Sequence, residues 1–284
     1  MSECSEFGLD YFNKILPVDK LAKIIATEAG HYQQASPFPH FTVDNLFPEK
    51  FLEKVAAEFP DQSSDTWHTF NNLREKKLAS NGDEALGPYT RALVSNLNSG
   101  TFIHFLESLT GIKGLLPDPH LMGGGMHRIL PGGKLAVHVD FNRNNELKLV
   151  RRLNVLIYLN KDWDESYGGY FELWDKDMQE AKVKVLPKFN RLAMFSTGKE
   201  TWHGHPDPLT CPENRSRRSL ALYYYTAVED KNWKKDTHTT VFRERPNETL
   251  FSDIEPESTS EILKKIIRPI YHKIRKRKLE EVED

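Results

Sequence analysis

A run of short, strand-like segments between residues 123 and 225 constrains the fold of this 284-residue chain more than any other feature. Most of these segments are rich in β-branched or aromatic residues, and glycine, proline, asparagine or aspartate separates them, as in turns. Short strands at near-regular spacing are typical of an all-β sandwich or jelly roll. The predicted strands are residues 123–130, 135–138, 153–159, 170–174, 183–187, 191–195 and 217–225.

The chain outside this region has a different pattern. Apolar side chains recur at helical spacing in three earlier segments, residues 12–32, 51–59 and 102–109. The predicted fold class is therefore mainly β with flanking helices (α+β), a jelly roll with an N-terminal helical layer. We predict three regions: an N-terminal helical region at 1–120 that packs on the sheet, a jelly-roll core at 121–228, and a C-terminal loop and basic helix at 229–284.

A candidate metal site lies within the predicted strands. In a strand, residues i and i+2 point the same way, so His138 and Asp140 can both face a barrel interior. His203 is the candidate third ligand, because one extended segment cannot supply three facial ligands. Two histidines and one carboxylate can occupy one face of an octahedral Fe(II) ion, which is the facial triad of non-haem iron oxygenases.

His205 is an alternative to His203, because it lies only two residues further along the chain. Both rings would face inward if this segment were extended, but Gly204 and Pro206 argue against a continuous strand. We take His203 as the metal ligand. For His205 two roles stay open, a group beside the ligands or substrate and an ordinary loop histidine.

Several separated motifs occur in an order that resembles a known family. They are residues 157–164 followed by the glycine pair 168–169, the block 151–154, and the block 202–208. With them, residues 121–226 resemble the catalytic domain of 2-oxoglutarate- and Fe(II)-dependent dioxygenases of the prolyl 4-hydroxylase-like group. The resemblance implies a double-stranded β-helix fold, Fe(II), 2-oxoglutarate and O2 as co-substrates, succinate and CO2 as co-products, and ascorbate as an optional reductant. It also places a metal ligand at His203, in the block 202–208.

A dicarboxylate co-substrate that chelates iron at one end leaves its far carboxylate to the protein. A guanidinium forms a bidentate, charge-assisted pair with such a carboxylate. Arg217 and Arg218 are the candidates, and they lie on opposite faces of one predicted strand. We choose Arg217, because its face continues through small and polar residues and related enzymes carry Arg-x-Ser here. Tyr158 matches a family tyrosine that contacts the same carboxylate, or else it is a core tyrosine.

Composition sets the remaining limits. The net charge of −2 gives no indication of a nucleic-acid partner, and no run of apolar residues is long enough to span a membrane. The two cysteines, Cys4 and Cys211, provide no disulfide framework, which favours a reducing, cytoplasmic location. The loop 206–216 is a candidate for lining the mouth of the site. For His127 and Arg152 we expect structural or surface roles.

The sequence therefore predicts a dioxygenase that hydroxylates a C–H bond, either of a peptidyl residue such as proline or of a small metabolite. The prime substrate, protein or metabolite, is not identified by these residues. The alternative is a non-catalytic, cupin-like module that binds a metal or a ligand. A pure binder would not need both an intact triad and an arginine anchor, so the enzyme is the preferred interpretation.

Overall fold

The computed structural model describes residues 15–80, 82, 85–145, 147–228 and 237–250. One compact unit ends at Pro246 and holds every element given below, and a second unit begins at Asn247. The basic helix predicted near residues 261–275 lies outside the described residues. Within the described ranges, no helix has both the length and the apolar character needed to cross a membrane.

In the part of the chain that the structure describes, four helices precede the predicted core: α1 Val18–Tyr32, α2 Glu49–Ala57, α3 Pro88–Leu97 and α4 Gly100–Thr110. The ends of α4 follow local chemistry. The Ser99 side chain accepts a hydrogen bond from the Phe102 amide at the start, and Gly111 takes a left-handed conformation at the end. The apolar stripes predicted for α2 and α4 are buried, which confirms that these helices turn one face to the core.

The described residues form fourteen strands in one sheet, and all of their pairings are antiparallel. The strands are β1 His40–Asp44, β2 Trp67–Asn71, β3 Glu75–Ser80, β4 Leu116–Pro117, β5 Gly125–Ile129, β6 Lys134–Val139, β7 Arg143–Asn144, β8 Leu149–Tyr158, β9 Phe171–Trp174, β10 Ala181–Val185, β11 Arg191–Ser196, β12 His203–His205, β13 Arg217–Ala227 and β14 Val241–Phe242.

The sheet curls on itself along the order β1-β11-β8-β13-β5-β3-β6-β12-β9-β10. Alternation along β8 and β13 separates its two faces. Leu153, Val155 and Leu222 pack with the helices in the main core, and the Tyr224 hydroxyl donates to the Leu97 carbonyl at 2.9 Å. Residues of the opposite parity, such as Tyr158 and Ser219, are buried inside the curl. The prediction of a mainly β jelly roll with a helical layer is confirmed.

The region before residue 120 is less helical than the sequence predicted. Strands β1, β2 and β3 lie within it and belong to the sheet. β1 pairs with β11, and β3 pairs with both β5 and β6. These pairings join segments far apart in the sequence, so local periodicity does not reveal them. A boundary at residue 120 stays a prediction, although the sheet extends across it.

Candidate metal centre and co-substrate pocket

His138, Asp140 and His203 come together inside the curled sheet. His138 on β6 lies directly opposite His203 on β12, and Asp140 follows the end of β6. Nε2 of His138 is 3.4 Å from one carboxylate oxygen of Asp140, and Nε2 of His203 is 3.2 Å from the other. The two imidazole centroids are 4.4 Å apart. The sequence predicted this assembly, and the structure brings all three side chains together.

Backbone carbonyls fix the orientation of both imidazoles. Nδ1 of His138 bonds to the Ala136 carbonyl and Nδ1 of His203 to the Thr201 carbonyl, each at 2.9 Å. Because a carbonyl only accepts, each Nδ1 carries the proton and each Nε2 keeps a free lone pair. Metal-ligating histidines are oriented in this way, with the second nitrogen hydrogen-bonded.

The three groups fit one octahedral ion. The possible ligand atoms all lie within 4.8 Å of one another. Neighbouring ligands that are each about 2.1 Å from such an ion are about 3 Å apart, close to the separations between Asp140 and the two imidazoles. Two nitrogens and one carboxylate on one side also leave the other side of the ion open.

Electrostatics favours the protonation states that a metal ion needs. Burial and the neighbouring His203 lower the pKa of His138, although Asp140 opposes this effect. Burial alone would raise the pKa of Asp140, but the Arg151 guanidinium and the two imidazoles hold it well below its ordinary value. At neutral pH the site therefore presents a carboxylate and an uncharged His138, both able to bind a cation.

Arg151 and Asn154 support the carboxylate of Asp140. Nη2 of Arg151 is 3.1 Å from Oδ2 of Asp140, and the Asn154 amide donates to that same oxygen at 2.7 Å. Nε of Arg151 donates to the Asn154 side-chain oxygen at 2.8 Å. The guanidinium lies 3.4 Å from the centroid of the Tyr223 ring. These contacts hold Asp140 in place beside the two imidazoles.

Arg151 was not among the predicted site residues, and Arg152 was expected to have a structural or surface role. Strict alternation would place Arg152, and not Arg151, on the same face as Asn154. The pairing of β8 with β13 shifts at this point, since Tyr224 lies opposite Leu153 but Tyr225 lies opposite Arg151. β8 therefore has one extra residue, Arg152, relative to β13, which is a β-bulge. The residues of β8 before the bulge point to the opposite face from the one that strict alternation predicts. Arg152 instead donates to the Thr226 hydroxyl at 3.3 Å.

We expect Arg151→Leu to weaken metal binding about ten- to hundredfold, as loss of a group that orients a metal ligand does. Arg151→Lys should keep part of the affinity, because it retains a positive charge but not the fork. Arg152→Leu is the matched control. The measurement is a competitive titration of metal into each purified variant, together with its melting temperature. Equal affinities for Arg151→Leu and Arg152→Leu would contradict the role given to Arg151.

Arg217 is a buried cation at the other end of the interior. Its Nε donates to the Gly169 carbonyl at 2.8 Å, and its Nη2 is 3.3 Å from the Tyr158 hydroxyl. Burial lowers its pKa, and Tyr158 offsets this only in part. No carboxylate of the described residues forms an ion pair with it. A buried guanidinium with neutral partners alone is costly, so the pocket favours an anionic ligand.

The two arginines lie on opposite faces of β13, as predicted. Arg218 points towards the helices, where its Nη1 donates to the Ala56 carbonyl at 2.9 Å. Close packing also forms the Arg217 side of the pocket. A Cβ on Gly169 would lie 2.6 Å from Leu209 and 3.0 Å from the Arg217 side chain. Gly169, which the sequence marked as one of the glycine pair 168–169 without a role in binding, therefore leaves the space that the Arg217 side chain occupies.

The metal-binding side chains lie between two cavities. The inner cavity, of about 80 Å³, connects the triad to Arg217 and is also lined by Ser219 and His205. The outer cavity, of about 340 Å³, opens from His138 and Asp140 towards residues of β2, β3 and β14, including Phe70 and Phe242. A small ligand held at Arg217 could thus reach the metal from one side, and a larger one from the other.

Two predictions about the segment after His203 need correction. His205 is not a loop residue, because β12 is extended through Gly204 and the His205 ring is buried in the inner cavity. The loop 206–216 does not line the outer cavity. Its Leu209 and Cys211 pack instead with Ile129, Trp163 and Leu186. His127, expected to be structural, lines both cavities.

Comparison with known proteins agrees with this geometry. Residues 124–225 match the model of the 2OG-Fe(II) oxygenase superfamily. A prolyl hydroxylase from Trichoplax adhaerens, in complex with a hypoxia inducible factor peptide fragment, superposes with a TM-score of 0.54 at 18% identity, covering 74% of this chain and 92% of that one. A Pseudomonas putida prolyl-4-hydroxylase superposes at 0.49 and 16% identity, covering 74% and 100%. A search of curated proteins finds no match.

The Trichoplax structure agrees in fold, and the family match covers the strands that carry the candidate site. It includes the two histidines and the aspartate that converge as candidate metal ligands, and also the buried arginine of β13. Residues 124–225 therefore match the 2OG-Fe(II) oxygenase superfamily over the strands that carry the candidate site.

Proposed function

We propose that this protein is an Fe(II)- and 2-oxoglutarate-dependent hydroxylase. It converts a C–H bond, 2-oxoglutarate and O2 into an alcohol, succinate and CO2. One observation carries the proposal: a single cavity has a candidate metal-binding triad at one end and, at the other, a buried arginine that pairs with no acid in the described part of the chain. A metal that binds one end of a dicarboxylate and a guanidinium that binds the other explain both features together.

The proposed roles follow from position. His138, Asp140 and His203 hold Fe(II), which when bound supplies the redox chemistry that couples O2 and 2-oxoglutarate to hydroxylation. Arg217 binds the far carboxylate of 2-oxoglutarate, and Tyr158, whose hydroxyl meets the guanidinium, helps to hold it. The apolar walls of the inner cavity, such as Leu156 and Phe195, keep water from the buried ends of these interactions.

The outer cavity is the proposed site of the prime substrate, because it reaches the triad from the side away from Arg217. Its aromatic side chains, Phe70, Phe141 and Phe242, suit a substrate with an apolar surface. A peptidyl residue, proline among them, is one candidate, supported by the peptide complex of the Trichoplax enzyme. A small metabolite is the other. A cytoplasmic location is also proposed, and it rests on the cysteine content alone.

The decisive experiment measures turnover without the prime substrate. We expect the purified chain, supplied with Fe(II) and 2-oxoglutarate, to consume O2 slowly and to release succinate. Omitting Fe(II), or replacing 2-oxoglutarate by succinate, should stop O2 consumption. A protein that binds iron and 2-oxoglutarate but releases no succinate would instead be the non-catalytic binding module. Mass spectrometry of a lysate after incubation would then reveal which molecule gains an oxygen atom.

A further inference from the structure

His205 occupies a position that the proposed metal and arginine sites do not explain. Like His203, it points into the interior, because residues i and i+2 of a strand share a face. The strand can run this close to β6 only because Gly204 has no side chain. A Cβ there would lie 2.8 Å from the Leu135 carbonyl oxygen and 3.0 Å from that of Ala136. The backbone therefore directs the His205 ring into the inner cavity.

The ring of His205 has no hydrogen-bond partner among the described residues. The side chain is only 4% exposed, and its Nδ1 is fully buried without a hydrogen bond among the described residues. No described residue bonds to its Nε2 either. An imidazole carries at least one N–H in either protonation state. A buried N–H without an acceptor is unfavourable, so a ligand that accepts a hydrogen bond at this point would relieve a real cost.

Arg217 lines the same cavity and is likewise a donor without an acidic partner among the residues that the structure describes. Two side chains of this cavity, a guanidinium and an imidazole, therefore have no acid of the described residues bonded to them, whereas the Lys77 ammonium, which also lines the cavity, pairs with Glu75 at 3.0 Å. A ligand carboxylate has about four lone-pair positions and can accept from both at once. A ligand end without an acceptor, such as a methyl group, would leave both donors unpaired.

His127, the other histidine of this cavity, serves a different purpose. Its ring is hydrogen-bonded to the backbone of Gly123, and its Nε2 has no partner among the described residues. A ring whose N–H is bound to a carbonyl offers only a lone pair from its second nitrogen, which repels a carboxylate. His127 therefore offers a hydrogen-bond acceptor to this cavity, whereas His205 offers a donor.

We propose that His205 is a second binding residue for the far carboxylate of 2-oxoglutarate, donating an N–H beside the Arg217 guanidinium. The inference rests on the proposed function, because it concerns the same co-substrate. It adds that two side chains from different strands, His205 of β12 and Arg217 of β13, bind the far carboxylate together. Recognition by two donors in fixed directions makes the pocket selective for a dicarboxylate over a monocarboxylate of the same length.

The test compares two ligands that differ only at the far end, 2-oxoglutarate and 2-oxovalerate. Each is titrated by calorimetry into the Fe(II)-loaded full chain under anaerobic conditions. We expect His205→Leu to weaken 2-oxoglutarate binding by about tenfold or more, the value of a hydrogen bond to a charged group. Binding of 2-oxovalerate should stay within about twofold, because it has no far carboxylate. His205→Asn or His205→Gln, which restores an N–H, should recover part of the discrimination.

His127→Leu is the matched control, and it should leave the ratio of the two affinities unchanged. If His205→Leu reduced the affinities for both ligands equally, the inference would be overturned, because this result would indicate a purely structural role. An unchanged ratio would overturn it as well. Failure of the proposed function gives a different result, since the unmodified chain would then show no preference for 2-oxoglutarate. Metal content, measured in each sample, must stay equal to that of the unmodified chain.

Discussion

Replacing His138, Asp140 or His203 by alanine should remove bound iron and abolish succinate formation in each case. Three protein ligands are the minimum for a facial site, and the loss of any one leaves two. The effect should exceed the ten- to hundredfold loss typical of a group that only orients a ligand, such as Arg151. Asp140→Ala should be the most severe, because it also leaves the buried Arg151 without its acidic partner.

The measurement is metal content after reconstitution with Fe(II), together with succinate release. His205→Ala is the matched control for the choice of histidine, because its ring lies two residues from His203 on the same face of β12. It should keep its iron. Full iron in His203→Ala, with iron lost in His205→Ala, would show that the wrong histidine was chosen.

The fold was predictable where it depends on local patterns. Most strands between residues 123 and 225 were predicted because alternating residues and turn residues define each one separately, but β7 and β12 were not. Shifts of a few residues remained, as in β10, predicted at 183–187 and found at Ala181–Val185. Strands β1 and β3 were not foreseen, because their pairing partners, β11, β5 and β6, lie far along the chain. Tertiary pairing, rather than propensity, makes them strands.

The candidate site shows the same division. His138, Asp140 and Arg217 were identified because regular alternation holds in β6 and at the start of β13. Arg151 was missed because a bulge reverses the alternation in β8, and a bulge leaves no mark in this part of the sequence. His205 was left open because Gly204 was taken as an interruption.

That interpretation of Gly204 reversed cause and effect. The glycine does not end the strand but permits it, because β12 approaches the carbonyls of β6 too closely for any side chain at that position. Glycine marks both a break and a close approach in a sequence, and only the neighbouring strand distinguishes them.

Arg217→Ala should raise the 2-oxoglutarate concentration needed for half-maximal turnover far more than it disturbs iron binding. Removing one partner of a buried charge pair costs about 2–5 kcal/mol. In affinity this corresponds to roughly 30-fold to several-thousandfold. The iron ligands should be little affected, because Arg217 bonds to Gly169 and Tyr158 and to none of the three. Titration of 2-oxoglutarate, with metal content measured in parallel, gives the answer.

Arg218→Ala is the matched control, since it removes the same group from the next residue of β13. Arg218 bonds to the Ala56 carbonyl on the helical side of the sheet, so its loss should affect stability modestly and leave the affinity for 2-oxoglutarate nearly unchanged. A larger effect on 2-oxoglutarate from Arg218→Ala than from Arg217→Ala would mean that the co-substrate does not bind in the inner cavity.

Two milder substitutions separate charge from geometry at this position. Arg217→Lys keeps the positive charge but loses the planar fork that matches a carboxylate, so its affinity for 2-oxoglutarate should fall between those of Arg217→Ala and the unmodified chain. Tyr158→Phe removes only a neutral hydroxyl that meets the guanidinium, so its effect should be smaller still. The loss of affinity for 2-oxoglutarate should therefore be largest in Arg217→Ala, smaller in Arg217→Lys and smallest in Tyr158→Phe. This order is expected only if a guanidinium–carboxylate pair provides most of the binding energy at this end of the cavity.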